Sequence, residues 1–114
     1  SMRLLQEGKC VLVEKPITQT VEQAEKLVDM AKKKRVILQV GHIERFNPAV
    51  EVLENMISEP KFIEVQRLGS FSARSLDIDV VLDLMIHDLD IILALIKDEV
   101  NVIKSSGIHV LSEK

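Results

Sequence analysis

Residues 10–42, CVLVEKPITQTVEQAEKLVDMAKKKRVILQVGH, decide the fold class. Cys10 to Val13 is a short, apolar, β-branched run of the kind carried by a strand buried on both faces, and it stops at Glu14-Lys15-Pro16. Proline lacks an amide donor and restricts the residue before it to extended geometry, so Lys15 is expected to leave the strand tip extended and ordered. Thr20 reads as an N-cap with Gln23 three residues on, and Ala24, Leu27, Val28 and Ala31 recur at helical spacing. The run Lys32-Lys33-Lys34-Arg35 invites a phosphate reading, but cations at a helix C-terminus are stabilised by the macrodipole without any ligand. Val36 to Gly41 reads as a second buried strand. Strand, helix and strand with short connections predict a right-handed βαβ unit with parallel strands. Glu14-Lys15 and Gly41-His42 then emerge at the same carboxyl edge of the sheet, where open parallel sheets bind ligands.

Upstream of this unit, Met2 to Glu7 reads as the last turns of a helix stopped by Gly8. Downstream, Asn47-Pro48 offers a cap followed by proline at the first helical position, opening a helix through about Ile57 that Ser58-Glu59-Pro60 ends. Phe62, Glu64 and Gln66 alternate with Ile63, Val65 and Arg67, the period of a strand, which would continue towards Ser72. The change from parallel-type strands to an alternating one suggests a domain boundary, and the chain divides into residues 1–42 and 43–114. The stretch 80–97 is apolar almost all round, the profile of a buried helix. Its few polar residues before Lys97 are Asp83, His87, Asp88 and Asp90, with Asp79 just ahead. On a regular helix Asp83, His87 and Asp90 share one stripe about 60° wide, and Asp88 points elsewhere. Val100 to Lys104 and Ile108 to Leu111 read as strand pieces around Gly107, and there is no internal repeat.

Composition narrows the function. The 114 residues carry 15 basic and 18 acidic side chains, for a net charge of −3, and no Trp or Tyr. That balance lacks the basic footprint of a nucleic-acid binder, and the missing aromatics remove the stacking platform of a single-strand binder. One cysteine, Cys10, allows no disulfide within the chain, which makes a cytoplasmic setting the default. The uncharged apolar run Ile91 to Ile96 falls far short of the roughly 20 residues that cross a bilayer, so no membrane partner is expected.

A carboxylate one helical turn before a histidine can fix the imidazole tautomer and make it a proton carrier near neutral pH. Asp83 and His87 have that spacing, on a stripe without the Lys, Glu, Gln and Ser of a solvent face. The bland alternative is a solvated stripe. Asp83, His87 and Asp90 completed by His42, Glu44 or His109 would make a carboxylate–imidazole metal site, but no second motif sets the remaining ligands, and no metal is expected. Lys15 is either a surface lysine at a strand end or an ammonium placed to orient a ligand at the sheet edge. No serine lies in a G-x-S-x-G context, and neither G-x-G-x-x-G nor a P-loop occurs among the four scattered glycines.

Glu14-Lys15-Pro16 after one strand, Val40 to Val50 (VGHIERFNPAV) after the next, and Val81 to Asp90 (VLDLMIHDLD) on a helix together resemble the Gfo/Idh/MocA oxidoreductases. The resemblance implies an α/β fold: the end of a Rossmann parallel sheet over 1–42, joined to the start of an α+β substrate domain with a mainly antiparallel sheet over 43–114. It implies NAD or NADP as cofactor, with Glu14, Lys15 and Pro16 on the cofactor side, and a homo-oligomer. By the same resemblance His87 is the acid/base, Asp83 positions it, and Lys15 polarises the reacting hydroxyl. His42, Arg45, Asn47 and Asp90 fall to the substrate. The form of residues 41–50 resembles the branch acting on nucleotide-linked amino sugars, including UDP-N-acetylglucosamine 3-dehydrogenases, in which Arg45, Arg67 or Arg74 would contact substrate phosphates. A non-catalytic small α/β binding or dimerisation module is the competing reading.

Family members are considerably longer and hold the dinucleotide on a glycine loop that does not occur in these residues, so the chain is expected to be a fragment of such an enzyme. By itself it should bind NAD(H) weakly or not at all, turn over no sugar, and self-associate through uncovered apolar surface. Calorimetric titration with NAD(H) and light scattering over a concentration series check this; robust turnover by the 114-residue chain would overturn it.

Overall fold

The structure, a computed structural model, describes residues 1–68, 78–96 and 98–108. The chain separates into two compact units, Ser1–His42 and Ile43–Lys114.

In the first unit, α1 (Met2–Gln6) ends at Gly8, whose φ of 75° lets its amide donate to the Leu5 carbonyl at 2.9 Å. Strand β1 (Val11–Glu14), helix α2 (Val21–Lys34) and strand β2 (Leu38–Gly41) follow, and the strands pair in parallel from Val11 opposite Leu38 to Glu14 opposite Gly41. The Thr20 hydroxyl caps α2 by accepting from the Gln23 amide at 3.4 Å. At the other end Arg35 takes a left-handed conformation, and the Arg35 and Val36 amides donate back to Lys32 and Ala31 in a Schellman closure. Val36 is thus consumed in ending the helix, and β2 begins at Leu38 rather than at Val36.

Leu5, Val11, Leu27 and Ala31 form the core of this unit, with Val13, Met30, Val36 and Leu38 packed against it. The expectation of strands buried on both faces is corrected: Leu12 is 71% exposed, Ile37 is exposed, and Cys10 precedes β1 on the surface. Alternate residues of a strand point to opposite faces, and α1 and α2 both pack on the face that carries Val11.

In the second unit a 3-10 turn (Ile43–Phe46) leads into α3 (Pro48–Met56). Asn47 Oδ1 caps α3 by accepting from the Ala49 amide at 3.0 Å, with Pro48 opening the first turn. Later in the chain Asp79 Oδ1 accepts from the Leu82 amide at 2.9 Å, and a π-helical turn over Val81–Met85 runs directly into α4 (Ile86–Leu95). Two expectations are corrected here. Phe62 to Gln66 and Val100 to Lys104 form no strand among the described residues, because alternation becomes a strand only where a neighbouring backbone supplies the ladder. The helical stretch from Val81 to Leu95 has no buried residue, and Leu93 is 55% exposed. Ile108 is described without strand structure, and the expected strand residues 109–111 and 69–72 lie outside the described residues.

Two forked ion pairs tie α4 to other segments of this unit. Arg45 in the 3-10 turn donates from Nε to Asp90 Oδ2 at 3.0 Å and from Nη2 to Oδ1. Arg67 donates from Nε and Nη2 to the two Asp88 oxygens at 2.7 and 2.6 Å. Both aspartates are largely covered, at 12% and 11% side-chain exposure, whereas the arginines remain two-fifths exposed.

In urea, Leu5→Ala should cost about 2–5 kcal/mol, since Leu5 is fully buried, while Leu12→Ala should cost less than about 0.5 kcal/mol. Equal losses would contradict the one-sided packing. Hydrogen bonding to Arg67 holds the Asp88 carboxyl below its ordinary 3.8, and the same bond raises Arg67. A carboxyl depressed in the folded state contributes stability that is present above its unfolded pKa and lost as pH falls through its folded one. Solvent screening of the half-exposed Arg67 limits the contribution. Arg67→Met should therefore lower stability at neutral pH by up to about 1 kcal/mol, and the difference should disappear in thermal melts as the pH is taken below 3.8.

Candidate active site

In the first unit the parallel register brings Glu14 and Gly41 side by side at the carboxyl ends of β1 and β2. The Glu14 carboxylate lies over Gly41: a Cβ at that position would sit 3.0 Å from Oε2. Glycine is what lets the acidic side chain rest against the neighbouring strand end. Lys15, half-buried, follows at once, and its peptide bond to Pro16 is cis. His42, just past β2, donates its amide to the Val40 carbonyl at 3.0 Å and buries an Nδ1 that has no hydrogen-bond partner. The unit thus gathers Glu14, Lys15, Pro16, Gly41 and His42 at one sheet edge, where a parallel sheet presents its ligand-binding end. A cation and a carboxylate around a glycine fit the polar surround that the nicotinamide end of a dinucleotide requires.

In the second unit His87 is the second residue of α4, half-buried, and its Nδ1 is buried with no hydrogen-bond partner. Asp83 lies in the π-helical turn. The bond from Asp83 to His87 Nδ1 suggested by regular spacing is not made. A π turn is wider than an α turn, so a residue four positions earlier no longer sits directly above its neighbour. A buried imidazole nitrogen left without any partner costs roughly 1–3 kcal/mol, so Nδ1 is a position that a water or a ligand atom would satisfy.

The remaining residues assigned to substrate are engaged within the unit. Arg45 and Asp90 bind each other, and that bond raises the Arg45 pKa. Asn47 caps α3 and donates from Nδ2 to Glu44 at 3.4 Å. Arg67 pairs with Asp88, a contact between residues 21 apart that no local spacing reveals. The one hint was Asp88 itself, an acid set off the stripe of an otherwise apolar helix. Arg74 and His109 lie outside the described residues. Among the described residues no three His, Cys, Asp or Glu side chains gather to hold a metal, and no helix is long and apolar enough to cross a membrane. An apolar cavity of about 670 Å³ lies between α3, α4 and the Phe62–Val65 stretch, and His87 does not line it.

Residues 1–42 match a family model described as oxidoreductase family, NAD-binding Rossmann fold. Over 111 residues the chain is 40% identical to the UDP-N-acetylglucosamine 3-dehydrogenase of Acidithiobacillus ferrooxidans, covering 96% of this chain and 36% of that protein. Two crystal structures of that dehydrogenase, GnnA, superpose with TM-scores of 0.86 over 96% of this chain. The chain thus spans about a third of the length of the relative it matches. The likeness runs through both units. Residues 1–42 thus match the NAD-binding Rossmann domain of the Gfo/Idh/MocA oxidoreductases.

Proposed function

We propose that the protein is an NAD(P)-dependent dehydrogenase that oxidises a hydroxyl of a nucleotide-linked amino sugar. The observation that carries this reading is the 40% identity with a UDP-N-acetylglucosamine 3-dehydrogenase across 96% of the chain, at a TM-score of 0.86. Residues 1–42 are then the carboxyl-terminal part of the dinucleotide-binding domain, and 43–114 begin an α/β substrate domain with a mainly antiparallel sheet. Glu14, Lys15 and Pro16, at the carboxyl edge of β1, would border the nicotinamide. When bound, the cofactor supplies the hydride acceptor.

The chain's own residues supply the proton chemistry. Lys15 Nζ donates to the reacting hydroxyl oxygen and stabilises the negative charge that grows there. The hydroxyl proton passes to Nε2 of His87, the nitrogen opposite the buried Nδ1, as the carbon gives up hydride and the C–O bond becomes C=O. Asp83, in the π-helical turn just before α4, would favour the protonated imidazole through its charge rather than through a bond to Nδ1, and His42 and Asn47 would serve the sugar. Exposed apolar residues of the second unit, such as Leu89 and Leu93, are consistent with a homo-oligomer.

The full-length protein should reduce NAD or NADP when given UDP-N-acetylglucosamine, read as the absorbance of the reduced nicotinamide. His87→Asn and Lys15→Met should each lower kcat by about 10²- to 10⁴-fold. Absence of nicotinamide reduction with every nucleotide sugar, or full activity in His87→Asn, would reject the assignment.

A further inference from the structure

We infer that Arg45 and Arg67 are positioning residues that fix the roll of α4 about its axis, and with it the direction in which His87 projects. The inference rests on the role given to His87 above, and it departs from the expectation that these arginines serve substrate phosphates.

The residues of α4 are partly covered and none is fully buried, so apolar packing alone holds the helix less firmly about its axis than a closed core would. The π-helical turn before it replaces the i to i+4 ladder by a wider i to i+5 bond, from the Ile86 amide to the Val81 carbonyl, and so resets the angle at which His87 leaves the helix relative to Asp83. Against this, α4 carries two acids that straddle His87, and each is held by both nitrogens of a guanidinium edge. At 3.6 residues per turn Asp88 projects roughly 100° to one side of His87 and Asp90 roughly 60° to the other. A single anchor leaves a helix free to roll about that point. Two anchors on opposite sides, reaching segments 45 and 21 residues away in sequence, oppose rotation in both senses. Forked geometry matters because a bidentate pair constrains orientation as well as distance.

The same geometry weighs against a phosphate role. Both guanidinium edges already hold carboxylates that are nearly nine-tenths covered. Transfer to a phosphate would leave a covered carboxylate unpaired, an expensive exchange.

The test uses the full-length protein with UDP-N-acetylglucosamine, comparing wild type with Arg45→Met, Arg67→Met, the conservative Arg45→Lys and Arg67→Lys, and the exchange Arg45→Asp with Asp90→Arg. Displacement of a proton-transfer group by about 1 Å costs on the order of 100-fold, so each Met variant should lose about 10- to 100-fold in kcat with KM changed less than about 2-fold. The Lys variants, which keep charge and lose the fork, should fall between, and the exchange should recover much of the loss. The nitrogen and proton signals of the His87 imidazole, recorded by NMR, should move and broaden in the Met variants and return in the exchange. A raised KM with kcat unchanged, or an imidazole signal that stays put in all four single variants, overturns the inference. Should a Met variant fail to fold by circular dichroism, the Lys variants decide on the same readouts. Should the wild type turn over no nucleotide sugar, the proposed function fails, and the imidazole spectra still decide whether the pairs orient His87.

Discussion

Parallel pairing of β1 with β2 is the constraint on which the first unit depends. Because the strands run the same way in the register Val11–Leu38 to Glu14–Gly41, their carboxyl ends finish together, and the titratable residues Glu14, Lys15 and His42 are delivered to one edge. A slip of one residue would turn Val11 and Val13 away from Leu5 and Leu27 and take Gly41 from beneath the Glu14 carboxylate. The core that holds the register is small and aliphatic, and it sits on one face only.

The second unit is held together differently. Val50 is its one buried apolar residue among those described, and the residues of its most apolar helix remain partly open. Besides partly covered apolar side chains, α4 is joined to the rest of the unit by two guanidinium–carboxylate forks whose acids are covered and whose bases are half-exposed. Exposed pairs of this kind contribute little stability, typically below about 1 kcal/mol, but they define orientation well.

The local devices were legible before any coordinates. Gly8 stops α1, Thr20 and Asn47 cap α2 and α3, and Pro48 opens α3, because each acts through atoms within three or four residues of itself. The single-sided exposure of Leu12 was not legible, since an apolar β-branched run looks the same whether one layer or two cover it. Alternation over Phe62 to Gln66 suggested a strand, yet a strand is a property of two backbones and the alternation describes only one. The stripe of Asp83, His87 and Asp90 assumed a uniform helix. The π turn breaks that assumption, and Asp90 turns instead to Arg45.

Sequence alone determined the βαβ order, the caps and the likeness of residues 1–42 to an NAD-binding Rossmann domain, because all of these are written in side-chain type and short-range spacing. Only the tertiary structure decided which face of the sheet is covered, where the π turn falls, and which acid meets which arginine. Those outcomes depend on contacts between residues 21 and 45 positions apart, where competing partners of equal charge cannot be ranked without their distances.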